Sequence, residues 1–341
     1  MCYHPNMKQQ LLFRQTLGHF CTDAACAAVL TSNMDRMDRV FLFIICYNFL
    51  AFCLQPFAGI ALDKCKQLTD KGYIQSAFVM LLLMLALPIF GVSVNVWLST
   101  VIVGIANCLF HVGAGRVILA KARDKMAPLG IFVSSGSLGL MIGMLFPYFA
   151  VRLVLLLLVV ALILLNLDTP LGRTSVVRAQ NHWCVVAAMC ACIAIRSFMG
   201  FLPVTTFSKS TGMLLLITLG VMAGKSLGGV LCDKWGIRKV VLTSTTCAVL
   251  LFLLSLGNPY LWTVVQMIVN FSMPITLYLM YKALPRYPAF SFGLAASFLV
   301  VGYVAAHGLN GIPIPPASVL ILFVLNVVII LYAERKLKCE K

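Results

Sequence analysis

Charge is scarce in this chain, and acid is scarcer still: 11% of the 341 residues are charged, and Asp and Glu number 10 against 26 Lys and Arg. A soluble globular domain carries about 25% charged residues, so a water-facing surface of ordinary size is excluded. The hydrophobic fraction of 61% and the mean hydropathy of +0.99 agree, and the composition is that of an integral membrane protein. Also missing is any period-two alternation of apolar and polar residues, which removes an outer-membrane barrel and leaves spanning helices. No basic soluble segment is present, so the net charge of +16 does not indicate a nucleic-acid surface. A Walker-type phosphate loop is lacking too, Gly113-x-Gly115 not being one, so ATP is not the expected energy source and no enzyme activity is expected. The 13 cysteines are scattered through apolar runs without metal-type spacing. They read as small packing residues, and neither a metal nor a cofactor is expected. Met1 to Gln10 is polar and the first apolar run is long, so no cleavable signal is expected.

What the chain does have is apolar runs of about 18–24 residues, long enough to cross about 30 Å of hydrocarbon as helix. They predict about twelve spans: 13–33, 40–62, 73–92, 96–120, 128–149, 153–168, 183–204, 211–233, 239–257, 260–281, 288–307 and 316–334. Connections are short except for a polar stretch from Asp168 to His182 with Pro170, Gly172, Arg173 and Arg178. That stretch divides the chain into an N-terminal six-helix half (1–168), a linker (169–182) and a C-terminal six-helix half (183–341).

The halves echo each other. Gly59-x-x-x-Asp63-Lys64 recurs 170 residues later as Gly229-x-x-x-Asp233-Lys234, at the end of the second span of each half. A parallel internal repeat of this kind builds one class of transporter fold, with a site between the halves near the bilayer midplane. Of the 26 Lys and Arg, three lie inside spans (Arg116, Arg196, Lys225) and four on one side (Arg36, Arg39, Arg152, Lys209), leaving 19 on the other. Lys and Arg gather on the cytoplasmic side, so both termini are expected in the cytoplasm of a multi-pass cell-membrane protein.

The segment Gly229 to Lys239, with Gly229, Asp233, Lys234, Gly236, Arg238 and Lys239, resembles the loop motif of the major facilitator superfamily of secondary transporters. The first copy keeps Gly59, Asp63 and Lys64 and loses the Gly-x-Arg that follows. Within the superfamily the chain is most similar to the fosmidomycin-resistance group, through Gln55-Pro56-Phe57-Ala58-Gly59, Ala106-Asn107-Cys108-Leu109-Phe110-His111, Ile131 to Gly139, Arg196-Ser197 and Phe201-Leu202-Pro203. Val112 stands where that group has proline. The resemblance implies an all-α membrane fold of two pseudo-symmetric six-helix bundles, transport by alternating access, and a drug-resistance antiporter. It also implies that a glycine-rich fifth span, here Gly136, Gly139 and Gly143, helps seal the outward end, though small residues at that spacing also serve plain helix packing.

Polar groups inside the spans must carry the chemistry, since each buried charge costs at least about 2.5–3.5 kcal/mol. Asp23 reads as the only acid inside a span, and His19 lies four residues earlier on the same helical face. The two can trade a proton, which makes them the proton-coupling pair, or they form a hydrogen-bonded pair that only fixes packing. Arg116 lies about 7 Å from the cytoplasmic end of its span, Arg196 about 20 Å deep, and Lys225 about 12 Å above Asp233, at 1.5 Å per residue. These cations are the expected substrate-binding set and favour an anion; His111, which by itself reads as a packing or hydrogen-bonding residue, joins them as the resemblance implies. Otherwise Arg196 pairs with Asp23, and Lys225 and Arg116 snorkel to the surface. Gly59, Asp63, Gly229, Asp233, Gly236, Arg238 and Lys239 are the expected gating residues. The function expected is therefore proton-driven efflux of a small anionic or amphiphilic compound by a monomer in the lipid bilayer, with no nucleic acid and no cofactor. Uptake of an organic acid or sugar phosphate, or a non-transporting receptor, are the alternatives.

Overall fold

A computed structural model of the chain describes residues 5–34, 39–166, 180–201, 210–255, 258–309, 312 and 314–339. Among them are twelve long helices and no strand. They are α1 (Pro5–Met34), α2 (Val40–Lys64), α3 (Asp70–Phe90), α4 (Val96–Ala122), α5 (Ala127–Leu145), α6 (Pro147–Asn166), α7 (Trp183–Phe201), α8 (Thr211–Trp235), α9 (Ile237–Leu254), α10 (Pro259–Ala283), α11 (Pro288–Gly308) and α12 (Pro316–Cys339). Eleven are long and apolar enough to cross a membrane. The twelfth, α1, has 30 residues but its apolar run is diluted by Arg14, Gln15, His19 and Asp23, the last two being residues on which the site is built.

Helix ends follow local chemistry. Asn95 Oδ1 accepts from the Trp97 and Leu98 amides at the start of α4, Asn258 does the same for Tyr260 and Leu261 in α10, and Thr69 Oγ1 accepts from Gly72 in α3. Each satisfies amides that have no partner within the helix. Two helices are interrupted. A π-helical turn, Phe49–Cys53, sits inside α2, and α10 breaks between Val269 and Ser272. One expected boundary is corrected: the fifth span does not run to 149 but stops at Leu145, and Pro147 opens the sixth. Proline has no amide to continue a helix, whereas in a first turn none is needed. Most of the expected linker, and Pro203, lie outside the described residues.

Contacts divide the chain into two compact units. Unit 1 holds Met1–Arg123, Ser135–Val177 and Arg286–Gly293, and unit 2 holds Asp124–Ser134, Arg178–Pro285 and Leu294–Lys341. Each unit thus follows one half of the sequence, except that the starts of α5 and α11 are exchanged. In unit 1, α4 is the central helix, packing against α1, α2 and α3. In unit 2, α10 has the same place, packing against α7, α8, α9 and α12. Glycines permit the close approaches: a Cβ on Gly104 would strike Leu50 of α2, and one on Gly224 would strike the Met267 carbonyl of α10.

Candidate functional site

In unit 1 the polar residues of α1 and α4 form one buried cluster. His19 and Asp23, a turn apart, place Nε2 and Oδ2 at 3.3 Å. From α4, His111 brings its Nε2 to 2.9 Å from His19 Nε2 and 3.7 Å from Asp23 Oδ1. Asn107 Nδ2 donates to Asp23 Oδ1 at 3.1 Å. His19, Asn107 and His111 are buried, and the Asp23 side chain is 15% exposed. His111 Nδ1 lies 2.9 Å from the Asn107 carbonyl. A carbonyl only accepts, so the proton of neutral His111 is on Nδ1 and its Nε2 offers a lone pair. His19 Nε2 then donates, with His111 Nε2 and Asp23 Oδ2 both within reach. Gly136 of α5 roofs the pair: a Cβ there would strike Asp23 Oδ2 and His19 Nε2. Gly139 and Gly143 press against the α1 backbone at Phe20 and Ala24 in the same way.

A second cluster sits where α2 runs into α3. Arg116 of α4 reaches Asp63 (Nε to Oδ1, 3.5 Å) and Asp70 (Nη1 to Oδ1, 3.3 Å), and all three side chains are at most 8% exposed. The expectation that Asp23 is the only acid inside the spans is therefore corrected. Asp63 belongs to α2, and Asp70, the first residue of α3, is buried. Asp70 had no signal of its own, because an acid in a first helical turn reads as a surface group stabilising the helix dipole. The structure places Arg116 with these carboxylates and His111 with His19 and Asp23.

The two Gly-x-x-x-Asp copies do the same local work. Asp63 Oδ1 and Oδ2 accept from the Ala289 and Phe290 amides at the start of α11 (3.3 and 2.9 Å). Asp233 Oδ1 and Oδ2 accept from Met126 and Ala127 at the start of α5 (2.7 and 3.0 Å). Gly59 and Gly229 lie under those same starts, where a Cβ would meet backbone atoms of Ala289 or Met126. Helix starts expose amides and positive dipole, which a carboxylate satisfies. Gly236, at φ +82°, joins α8 to α9, and Arg238 and Lys239 are exposed in the first turn of α9.

In unit 2, Arg196 of α7 is buried and donates to Thr276 Oγ1 at 2.9 Å and Met273 Sδ at 3.0 Å, both just after the break in α10. Thioether and hydroxyl are neutral, so neither cancels its charge. Lys225 Nζ lies 3.4 Å from the Val133 carbonyl in the first half of α5. A cavity of about 30 Å³ lies between α7, α9, α10 and α12, lined by Met199, Ser244, Ser272 and Asn326.

No protein-family model matches the sequence, and no curated protein matches it. Solved structures do. The E. coli fucose:proton symporter FucP is 15% identical, with TM-score 0.68 over 96% of this chain and 98% of that one. The human organic anion transporter MFSD10 is 14% identical, with TM-score 0.66 over 98% and 100%. A bacterial homologue of the iron transporter ferroportin is 11% identical, with TM-score 0.56 over 96% and 98%. Twelve helices in two units, each assembled around its fourth helix, are in this chain the all-α fold of the major facilitator transporters.

Proposed function

We propose that this protein is a secondary active transporter that works by alternating access and exports a small anionic or amphiphilic solute in exchange for protons. The observation that carries the reading is the His19–Asp23–His111 cluster: two buried imidazoles and one largely enclosed carboxylate, hydrogen-bonded to one another inside unit 1. Such groups can bind and release one proton at little geometric cost. Two of the structural neighbours are, by name, a proton symporter and an organic anion transporter, the two chemistries joined here. Arg196, whose partners leave its charge uncancelled, is the proposed anion-binding group, with Lys225 as a second. The excess of Lys and Arg on one side of the predicted spans supports a cytoplasmic position for both termini. An anion that binds only the folded chain raises apparent stability, by about 2.7 kcal/mol at one hundred times its Kd. In a thermal-shift screen of the purified protein we expect anions to stabilise and Arg196→Gln to remove the effect. Stabilisation by cations in their place would sink the anion reading.

Asp63 and Asp233 are the proposed gate on the cytoplasmic side, because each holds the start of another helix by two backbone bonds. Asp233→Asn keeps one acceptor and turns a donor toward the other amide, a loss of about 1–2 kcal/mol on the scale of a helix cap. We expect the initial rate of transport to fall while the solute Kd, read by thermal shift, stays within about twofold (about 0.4 kcal/mol). A fall in affinity matching the fall in rate would move Asp233 into the binding site.

A further inference from the structure

We infer that His19, Asp23 and His111 form a site for one divalent late-transition-metal ion, with Asn107 as its positioning residue. The three donor atoms come from different turns and helices yet all lie within 4.8 Å of one another. The two imidazole Nε2 atoms are 2.9 Å apart, and each faces a different oxygen of Asp23, Oδ2 at 3.3 Å from His19 and Oδ1 at 3.7 Å from His111. Ligands bonded at about 2.0–2.1 Å in a tetrahedral site stand about 3.3–3.4 Å apart. Each of these separations is within about 0.5 Å of that spacing, with the carboxylate offering one oxygen to each imidazole.

The surroundings orient His111 and Asp23 as a metal needs them, and His19 joins them when its proton leaves Nε2 for Nδ1. His111 gives its Nδ1 proton to the Asn107 carbonyl, which leaves Nε2 as the coordinating lone pair; metal-bound histidines are fixed in this way. Asn107 also steadies the carboxylate through Asp23 Oδ1. Its own Oδ1 is buried with no partner among the described residues, and an unpaired buried acceptor calls for a donor. A water on the open metal position supplies one. Nearby Cys26 Sγ is turned to the Val103 carbonyl at 3.5 Å and is not part of the set. Two imidazoles and a carboxylate without thiolate suit Zn²⁺, Co²⁺, Ni²⁺ or Fe²⁺ over Mg²⁺ and Ca²⁺. Sequence spacing hides the site, because His111 lies 92 residues from His19. The inference rests on this geometry and not on transport. It does imply that an ion and a transferable proton exclude each other there.

The test is a Co²⁺ titration of the full chain in detergent after chelator treatment. We expect one Co²⁺ per chain, visible d–d bands without thiolate-to-cobalt charge transfer, displacement by Zn²⁺ and none by Mg²⁺. His111→Gln should weaken binding roughly 100-fold or more and Asn107→Ala about 10–100-fold, each with a metal-free thermal transition like that of the unaltered protein. His307→Gln, in α11 beside Tyr303, should change nothing. Where His111→Gln does not fold, Asn107→Ala gives the same readout. Absence of the bands, bands with thiolate character, or bands that survive both substitutions overturn the site. Proton-driven flux is read separately, so a chain that binds no metal can still be proton-coupled.

Discussion

Replacing Asp23 with Asn is expected to abolish flux driven by a pH gradient in proteoliposomes while leaving solute exchange at equal pH intact. Asparagine is close to isosteric and still offers an oxygen to Asn107 Nδ2, which holds Asp23 Oδ1 at 3.1 Å. The fold of the cluster should survive. What disappears is the one carboxylate facing two imidazoles, and with it the group that lets the cluster gain a proton without becoming a buried cation. The expected loss of gradient-driven rate is on the order of 10²-fold, the scale of a positioned acid–base group. Gradient-driven flux that persists in the variant, at unchanged pH dependence, means that the proton takes another route. Loss of exchange as well would make Asp23 a structural or solute-binding residue.

Arg116→Ala should damage stability more than affinity. The side chain joins Asp63 and Asp70, all three being buried, and removing one member of such a group leaves uncompensated charge at about 3–5 kcal/mol. Thermal unfolding in detergent should show this loss. Arg116→Lys should recover only part of it, because a point charge does not span two carboxylates as a guanidinium does. In protein that remains folded, the Kd for a stabilising anion should hardly change. A variant of normal stability with weakened anion binding would restore Arg116 to the solute site, where the sequence had suggested it.

Much of the fold is legible in the sequence because the bilayer imposes it: a helix must be apolar over a fixed length, so hydropathy alone marks eleven of the twelve helices. The first is legible for the opposite reason, since His19 and Asp23 stand out against an otherwise apolar run. Their pairing follows from four-residue spacing. His111 is different. It shares a stripe with Asn107, one turn earlier, but its contact with His19 depends on how α1 and α4 pack, which a single sequence does not encode at any fixed spacing. Arg116 looks in sequence like its fellow cations Arg196 and Lys225. Its carboxylate partners sit at a helix end and a helix start, positions where acids are ordinary. Arg196 hides its surroundings in another way, since Met273 and Thr276 carry no charge to announce them.

The two aspartate contacts also set an order of assembly during synthesis. Asp233 meets amides 107 and 106 residues behind it, already made when it emerges. Asp63 must wait, because its amides lie 226 and 227 residues ahead. At about 5–20 residues per second, Ala289 follows Asp63 by about 11–45 s, but Arg116 by only about 3–10 s. The guanidinium is thus the first partner that the Asp63 carboxylate finds, and the α11 start is the last. A nascent first half can bury Asp63 against Arg116 and Asp70 long before its helix start arrives, and the companion cation stands beside the copy that has to wait.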